Sequence, residues 1–262
     1  MSEPAPRAVT ACMLVIGNEI LSGRTQDENL RYVATGLNEV GVRLMEARVI
    51  PDVPETIVRT VNECRKAFDY VFTSGGIGPT HDDITSECVA AAFGVALHRD
   101  PKAVAILAAY LPPDGLNEAR LRMATVPVGA ELIQNPVSAA PGFRFENVYV
   151  MAGVPAVMKA MFDGVKGTLK GGRKMHSRAV RVELAEGAIA ETLSKLQDAN
   201  PDVEIGSYPA MRRGNFGVSV VMRGPDEARL DAVLEALKAG LRALGGDPKD
   251  ETGALAGEGA PG

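Results

Sequence analysis

Two hydrophobic patterns alternate along the first part of the chain. A short, almost unbroken apolar run at residues 11–16, typical of a strand buried on both faces, predicts the first strand, and further strands are predicted at residues 43–50 and 70–73. Apolar residues spaced three and four apart predict helices at residues 30–40, 54–61 and 85–93. Because strands and helices alternate, we expect right-handed crossovers and a three-layer α/β/α domain around a parallel sheet.

The pattern continues with more irregular spacing to residue 165. Two helices are predicted at residues 101–111 and 117–125, and a strand at 131–133. Strands at 143–145 and 148–151 predict a hairpin. A helix that Pro155 opens then ends near residue 162.

A glycine-rich and basic stretch at residues 166–177 breaks the periodicity and is predicted to be a linker after the main domain, residues 10–165. The order strand, helix, strand, strand, helix over residues 178–244 predicts a second, smaller α+β domain. We expect residues 1–9 to be a flexible N-terminus and residues 245–262 to be a disordered tail.

Composition narrows the class of protein. Hydrophobic residues make up 46% of the chain and charged residues 23%, as in ordinary globular proteins. The net charge of -5, with scattered Lys and Arg, argues against nucleic acid as a partner. The sequence carries neither a signal peptide nor an apolar run near the ~20 residues of a membrane helix, so we expect a cytoplasmic protein without a membrane partner. Cys12, Cys64 and Cys88 lie in apolar segments and are predicted to be buried hydrophobes rather than disulfide or zinc ligands.

A glycine-rich segment, residues 74–83, follows the third predicted strand and leads into a helix, which is where open α/β sheets bind ligands. Gly75, Gly76 and Gly78 allow a tight curl that aims backbone N–H groups at an anion, and the helix N-terminus adds partial positive charge. The segment is not a Walker loop, because no Gly-Lys-Ser/Thr follows. It predicts a site for the phosphates of a nucleotide or pterin-like ligand, with a purely structural turn as the alternative.

Aspartates at the same predicted sheet edge suggest a metal. Asp82 and Asp83 would repel a bound anion unless a cation lay between them, and Mg²⁺ held by carboxylates and substrate phosphates is the usual solution. The alternative is that they cap the helix at Thr85. Asp52, after the second strand, is either a metal ligand, a general base or a turn residue between two prolines. Glu19, after the first strand, is either a ligand or a solvated side chain.

With these residues in view, the chain resembles the molybdopterin-binding superfamily of MoaB and MogA, and most closely the N-terminal part of the CinA family of competence/damage-inducible proteins. The similar segments are residues 17–23, 50–52, 73–85, 135–143, 153–155 and 205–209. The resemblance implies a three-layer fold and a homo-oligomer, a dimer or a trimer. The amidase domain that usually ends CinA proteins is not expected in a chain of 262 residues.

The resemblance also implies an activity. In relatives that adenylylate molybdopterin, the positions of Asp52 and Asp83 hold acidic residues associated with metal and catalysis. CinA-like proteins are linked to cleavage of a nucleotide diphosphate such as ADP-ribose, and a related domain of FAD synthases to FAD hydrolysis. Because the second domain accompanies the CinA-like branch, a metal-dependent pyrophosphatase is favoured. A molybdopterin adenylyltransferase and a non-catalytic nucleotide or pterin binder stay open as alternatives.

The motif and the resemblance together define the candidate site. Asp52 and Asp83 are the expected catalytic residues, and with Asp82 they are the expected ligands of Mg²⁺ or Co²⁺. The expected phosphate- or ligand-binding residues are Gly17, Asn18, Glu19, Ser74, Gly75, Gly76, Gly78, Thr80, Asn135, Ser138, Pro141, Gly142, Gly153 and Pro155. The chain departs from the family pattern at Ser138, which is often Gly, and at Ala152 and Val157, which replace Pro and Glu.

Overall fold

The computed structural model describes residues 7–112, 115–212 and 215–251. The chain forms two compact units, Met1–Gly172 and Arg173–Gly262, here called the main domain and the small domain. The division falls within residues 166–177, where the sequence predicts a linker. In the described part of the chain, no helix combines the length and the apolar character needed to cross a bilayer.

The main domain alternates strands and helices through most of its length. Its elements are β1 (Val9–Ile16), α1 (Asn18–Leu21), α2 (Asn29–Glu39), β2 (Val42–Ile50), α3 (Pro54–Ala67), β3 (Tyr70–Ser74), α4 (Thr85–Phe93), β4 (Leu97–Arg99), α5 (Pro101–Tyr110), α6 (Glu118–Arg122), β5 (Thr125–Pro127), β6 (Glu131–Ile133), β7 (Gly142–Phe145), β8 (Val148–Met151) and α7 (Pro155–Lys166).

A six-stranded mixed sheet organises this domain, in the order β2-β1-β3-β8-β7-β6. The first four strands in that order are parallel, and β8, β7 and β6 pair antiparallel. Successive residues of a strand point to opposite faces, so Met13 and Val15 of β1 pack with α2 and α7. Cys12 and Leu14 pack with α3 and α4 on the other face. Helices on both faces explain why the inner strands β1 and β8 are almost wholly apolar, and the predicted three-layer α/β/α class is confirmed.

The small domain contains an antiparallel sheet covered by two helices. Its elements are β9 (His176–Val182), α8 (Glu186–Ala199), β10 (Glu204–Arg212), β11 (Asn215–Gly224), α9 (Glu227–Ala243) and β12 (Lys249–Asp250). The strand order is β10-β11-β9-β12. Val180 and Val220 lie on the sheet face that packs against Leu230 and Leu237 of α9. The predicted smaller α+β domain is confirmed.

Several element boundaries differ from the sequence prediction. The helix predicted at 117–125 ends at Arg122, because Thr125 pairs with Arg99 in the β4–β5 ladder. The helix predicted to end near residue 162 continues to Lys166, because Val165 still packs on the core. The four-residue helix α1 and the short strands β4, β5 and β12 were not predicted.

Residues next to both chain ends make contacts in the structure. Val9 pairs with Val42 in the β1–β2 ladder, and the Arg7 guanidinium forms an ion pair with Asp69. Lys249 and Asp250, which lie in the segment predicted to be a disordered tail, pair with β9. Residues 1–6 and 252–262 lie outside the described part.

The cysteines are buried, in agreement with the sequence prediction. Burial raises the pKa of the Cys88 thiol to about 11, so that it is protonated at neutral pH. Cys12 of β1 and Cys64 of α3 are closer than the sequence indicates, with 3.5 Å between their sulfur atoms. They act as packing residues of the α3 face of the sheet.

Candidate ligand-binding site

The carboxyl ends of four parallel strands lie at one edge of the main sheet. There β1 leads into Gly17, β2 into the turn with Asp52, β3 into Gly75 and β8 towards Gly153. Asp52 and the glycine-rich loop share this edge, although β1 lies between β2 and β3. A cavity of about 510 Å³ opens at the edge. The position agrees with the general rule for ligand sites in open α/β sheets.

Most of the candidate site residues line this cavity. They are Gly17, Glu19, Asp52, Gly75, Gly76, Gly78, Asp82, Asp83, Asn135, Ser138, Gly153 and Pro155. Asn18, Ser74 and Thr80 are not among the lining residues, and each is bonded to a neighbouring polar group. Pro141 and Gly142 are buried at the start of β7 and are not in the cavity wall. A Cβ at Gly142 would meet the carbonyl oxygen of a β8 residue, so this glycine allows two strands to approach.

The glycine-rich loop needs its first two glycines for backbone reasons. Gly75 has φ 111° and Gly76 has φ 70°, conformations that other L-residues rarely adopt. A Cβ on Gly75 would also collide with the carbonyl oxygen of Ile16. The Gly75 N–H donates to Met151 O at 3.1 Å, so this amide is not aimed at an anion, contrary to the sequence prediction. The Thr85 hydroxyl donates to Gly75 O at 3.0 Å and closes the loop onto α4.

Two carboxylates of the loop share one donor. Asp83 Oδ2 accepts from the Thr80 N–H at 2.8 Å and from the Thr80 hydroxyl at 2.5 Å. Asp82 Oδ1 lies 2.6 Å from the same hydroxyl, whose single proton bonds to only one carboxylate at a time. The bond from Thr80 lowers the pKa of Asp82, which is therefore ionised at neutral pH. Neither aspartate caps α4, whose start at Thr85 has no side-chain cap.

Space beside Asp83 depends on Gly78. A Cβ at Gly78 would lie 2.6 Å from Asp83 Oδ2, closer than real Cβ contacts allow. The loop therefore holds the Asp83 carboxylate against its own backbone, with Thr80 as donor on one side and Gly78 as spacer on the other. Gly78 has a positional role that its φ angle does not explain.

Asp52 and Glu19 add two more carboxylates to the wall. Asp52 Oδ2 accepts from the Asn18 N–H at 2.8 Å, where α1 begins. Asp52 is thus both a turn residue and a cavity residue. The Glu19 carboxylate lies against Gly17, where a Cβ would be 2.5 Å from Glu19 Oε1.

The donor set suits a hard cation. Carboxylates of Glu19, Asp52, Asp82 and Asp83 line the cavity, and none of its described lining residues is a lysine or an arginine. Across the ranges that the structure describes, no three or more His, Cys, Asp or Glu side chains are grouped to hold a metal ion. The three expected aspartate ligands therefore do not form a complete protein cage. Carboxylate oxygens are the type of ligand that Mg²⁺ takes together with substrate phosphates.

In the proline-rich loop, residues 135–141, the side chain of Asn135 forms hydrogen bonds within the loop itself. Asn135 is only 7% exposed, and its Nδ2 donates to Ser138 Oγ at 2.7 Å and to Ala140 O at 2.9 Å. Its Oδ1 accepts from the N–H groups of Val137 and Ser138, at 3.0 and 3.1 Å. Because all these groups are already bonded, Asn135 holds the shape of the loop. The loop contributes Asn135, Ser138 and Ala140 to the cavity wall.

Some residues at the site were missed by the sequence analysis. Asn29, at the start of α2, bonds to Ser74 and to Gly153. Its local sequence indicates only a helix start, because Asp27 two residues earlier is the capping side chain. Apolar residues also line the wall: Ile16, Ile77, Met123 and Val154, together with Ala152 and Val157, which the sequence analysis named only as departures from the family pattern. Met123 follows the short helix α6, for which spacing gave no sign of a position at the cavity.

Residues 12–170 match the family described as a probable molybdopterin binding domain. The chain belongs to the molybdopterin-binding superfamily of MoaB and MogA. Residues 174–245 match the middle domain of FAD synthase. The two matches correspond to the main domain and the small domain, and the resemblance drawn from the motifs is confirmed.

Relatives agree with this membership. A protein from Archaeoglobus fulgidus is 38% identical over 75% of this chain and 84% of its own length. A probable FAD synthase from Caenorhabditis elegans is 31% identical over 89% of this chain and 50% of its own. A CinA-like protein from a Synechococcus strain is 30% identical over 90% of this chain and 59% of its own. The chain thus spans about half the length of the FAD synthase and CinA-like relatives.

A solved structure extends the likeness to the fold. The protein CinA from Thermoplasma acidophilum, described as of unknown function, is 32% identical, with a TM-score of 0.57. The match covers 61% of this chain and 98% of that one. This member of the superfamily is therefore CinA-like and related to nucleotide-handling proteins.

Proposed function

We propose that this protein is a metal-dependent pyrophosphatase that cleaves the diphosphate of a nucleotide of the ADP-ribose or FAD type. The observation that carries the proposal is the cavity wall, in which carboxylates stand beside a glycine-rich backbone loop without a lining lysine or arginine among the described residues. A diphosphate next to these carboxylates needs a cation to offset the repulsion. The CinA-like and FAD synthase relatives support a nucleotide as the ligand.

In this proposal the loop backbone holds one phosphate. The Gly75 N–H is already bonded to Met151 O, so the candidate donors are the N–H groups of Gly76 and Gly78. Asp83, together with Asp52 or Asp82, would hold Mg²⁺ or Co²⁺. When bound, such an ion supplies positive charge to the phosphate oxygens and lowers the pKa of a coordinated water.

The carboxylates of the wall supply proton transfer. Asp52 uses Oδ2 to accept from Asn18, which leaves Oδ1 for orienting water. The water oxygen bonds to one phosphorus while the bond from that phosphorus to the bridging oxygen breaks. The two protons of water pass to a carboxylate and to solvent, and two monophosphates remain. ADP-ribose gives AMP and ribose 5-phosphate by this reaction, and FAD gives AMP and FMN.

Chromatography of products from ADP-ribose and FAD, with Mg²⁺ or Co²⁺, tests this function. We expect AMP release that depends on the metal and is lost in Asp83→Ala. Failure of both substrates with every metal, or full activity in Asp83→Ala, would contradict it. ATP-dependent adenylylation of molybdopterin would identify the adenylyltransferase instead, and tight binding without turnover a non-catalytic binder. We also propose that the protein is cytoplasmic and forms a dimer or a trimer. Light scattering of the purified chain measures the mass of the assembly and therefore the number of subunits.

A further inference from the structure

Asn29 joins two loops that border the cavity. It is the first residue of α2 and is only 4% exposed. Its Nδ2 donates to Ser74 Oγ and to Gly153 O, each at 2.7 Å. Ser74 ends β3 directly before the glycine-rich loop, and Gly153 follows the neighbouring strand β8. One amide therefore connects the ends of two parallel strands at the cavity.

The bonding of this amide is one-sided. A backbone carbonyl only accepts, so the bond to Gly153 O fixes Nδ2 as the atom facing the loops. Asn29 Oδ1 is buried and has no hydrogen-bond partner within the described residues. An unpaired buried acceptor costs stability, so an asparagine is a poor choice if stability alone matters. The helix start does not need it either, because Asp27 already accepts from Leu30 N at 3.0 Å.

Asn29 acts where the two loops touch backbone to backbone. Gly75 N donates to Met151 O at the end of β8. The backbones of Gly75 and Gly153 are also close, because a Cβ added to Gly153 would lie only 3.3 Å from Gly75 Cα. The Ser74 hydroxyl also approaches Ala152 O at 3.4 Å. Losing the Asn29 amide leaves this close contact without the side chain that spans it. The amides of the glycine-rich loop are then free to shift relative to the wall at Gly153.

We propose that Asn29 is a positioning residue, whose amide fixes the spacing between the glycine-rich loop and the loop after β8, and thereby the placement of the phosphate-binding amides. It does not contact the ligand in this proposal. The catalytic part of the proposal rests on the pyrophosphatase function, whereas the structural part does not. A misplacement of ~1 Å costs up to about 100-fold in rate, so the effect is measurable.

The test uses Asn29→Leu, which keeps the bulk without a donor, and Asn29→Asp, which keeps the shape without the amide protons. We measure kcat and KM for ADP-ribose, Tm, and hydrogen exchange of the amides at residues 74–78 and 151–155. We expect kcat to fall by about 10- to 100-fold while KM changes less than about threefold, with faster exchange in both loops. Thr60→Ala is the control, since Thr60 is also buried in the main domain and bonds only within α3.

Thr60→Ala should lower Tm and leave kcat and the exchange of both loops unchanged. If the Asn29 variants behave like this control, Asn29 is only structural and the proposal is wrong. If Asn29→Leu fails to fold, Asn29→Asp decides. If the unchanged protein cleaves no diphosphate, the pyrophosphatase function fails by itself. Exchange in the two loops then still decides, because faster exchange in both variants supports the positioning role and unchanged exchange overturns it.

Discussion

The glycine-rich loop at residues 74–83 and the proline-rich loop at residues 135–141 border the same cavity but use their polar groups in opposite ways. In the first loop, Thr80 holds the carboxylates of Asp82 and Asp83 in the wall, where a ligand can meet them. In the second, Asn135 satisfies four bonds within its own loop. The first loop therefore has the chemistry of a site, and the second mainly determines its shape.

Removing the metal should have the largest effect. Chelation with EDTA is expected to reduce AMP release to background, because the carboxylates then repel the diphosphate, and added Mg²⁺ or Co²⁺ should restore AMP release.

Hydrogen exchange compares the two loops directly. With metal and AMP bound, exchange should slow in residues 76–83 and change little in residues 135–141. Equal slowing in both loops would contradict the division of roles, and activity in EDTA would contradict metal dependence.

Asp83→Asn should have the next largest effect. The amide keeps the shape of the side chain and its bond from Thr80 N but lacks the negative charge, so we expect kcat/KM for ADP-ribose to fall by at least about 100-fold. Product chromatography measures the change. Asp163→Asn is the matched control, since Asp163 is an α7 carboxylate that bonds Tyr32 and is not among the residues of the cavity wall. Comparable losses in the two variants would argue against a specific role for Asp83.

Gly78→Ala should have an intermediate effect. The new methyl group would press on Asp83 Oδ2 and displace the carboxylate, so we expect kcat to fall by about tenfold with a preserved fold. Gly164→Ala is the control, because open space surrounds Gly164 within α7. That substitution should raise the unfolding free energy by about 0.5–1 kcal/mol without altering kcat. Full activity in Gly78→Ala would show that the Asp83 position is not critical.

Local patterns predicted most of the fold and part of the site. The strand β1 and the helix α4 were found because an apolar run and a terminal glycine are visible within a few residues. By contrast, β12 has two residues, and its pairing with β9 depends on contacts far along the chain. Two- and three-residue strands offer too few positions for a period to appear.

The site shows the same limit. Spacing placed Asp82 and Asp83 in the glycine-rich loop but did not distinguish helix capping from lining a cavity, which depends on the side-chain direction. Asn29 was missed because its partners are 45 and 124 residues away in sequence. Gly75 was predicted to offer its N–H to a ligand, whereas its partner Met151 lies on another strand. Local chemistry predicts which groups exist, and tertiary contacts determine which are free.

Asn135→Ala should have the smallest effect on catalysis and a clear effect on stability. Each lost hydrogen bond is worth about 0.5–1.5 kcal/mol, so removing the set should lower the unfolding free energy by about 2–4 kcal/mol in a urea titration. The released loop still borders the cavity through Ser138, so KM should rise more than kcat falls, and kcat should stay within about threefold. A loss of kcat as large as that in Asp83→Asn would mean that the proline-rich loop also takes part in the chemistry. Such a result would erase the difference between the two loops.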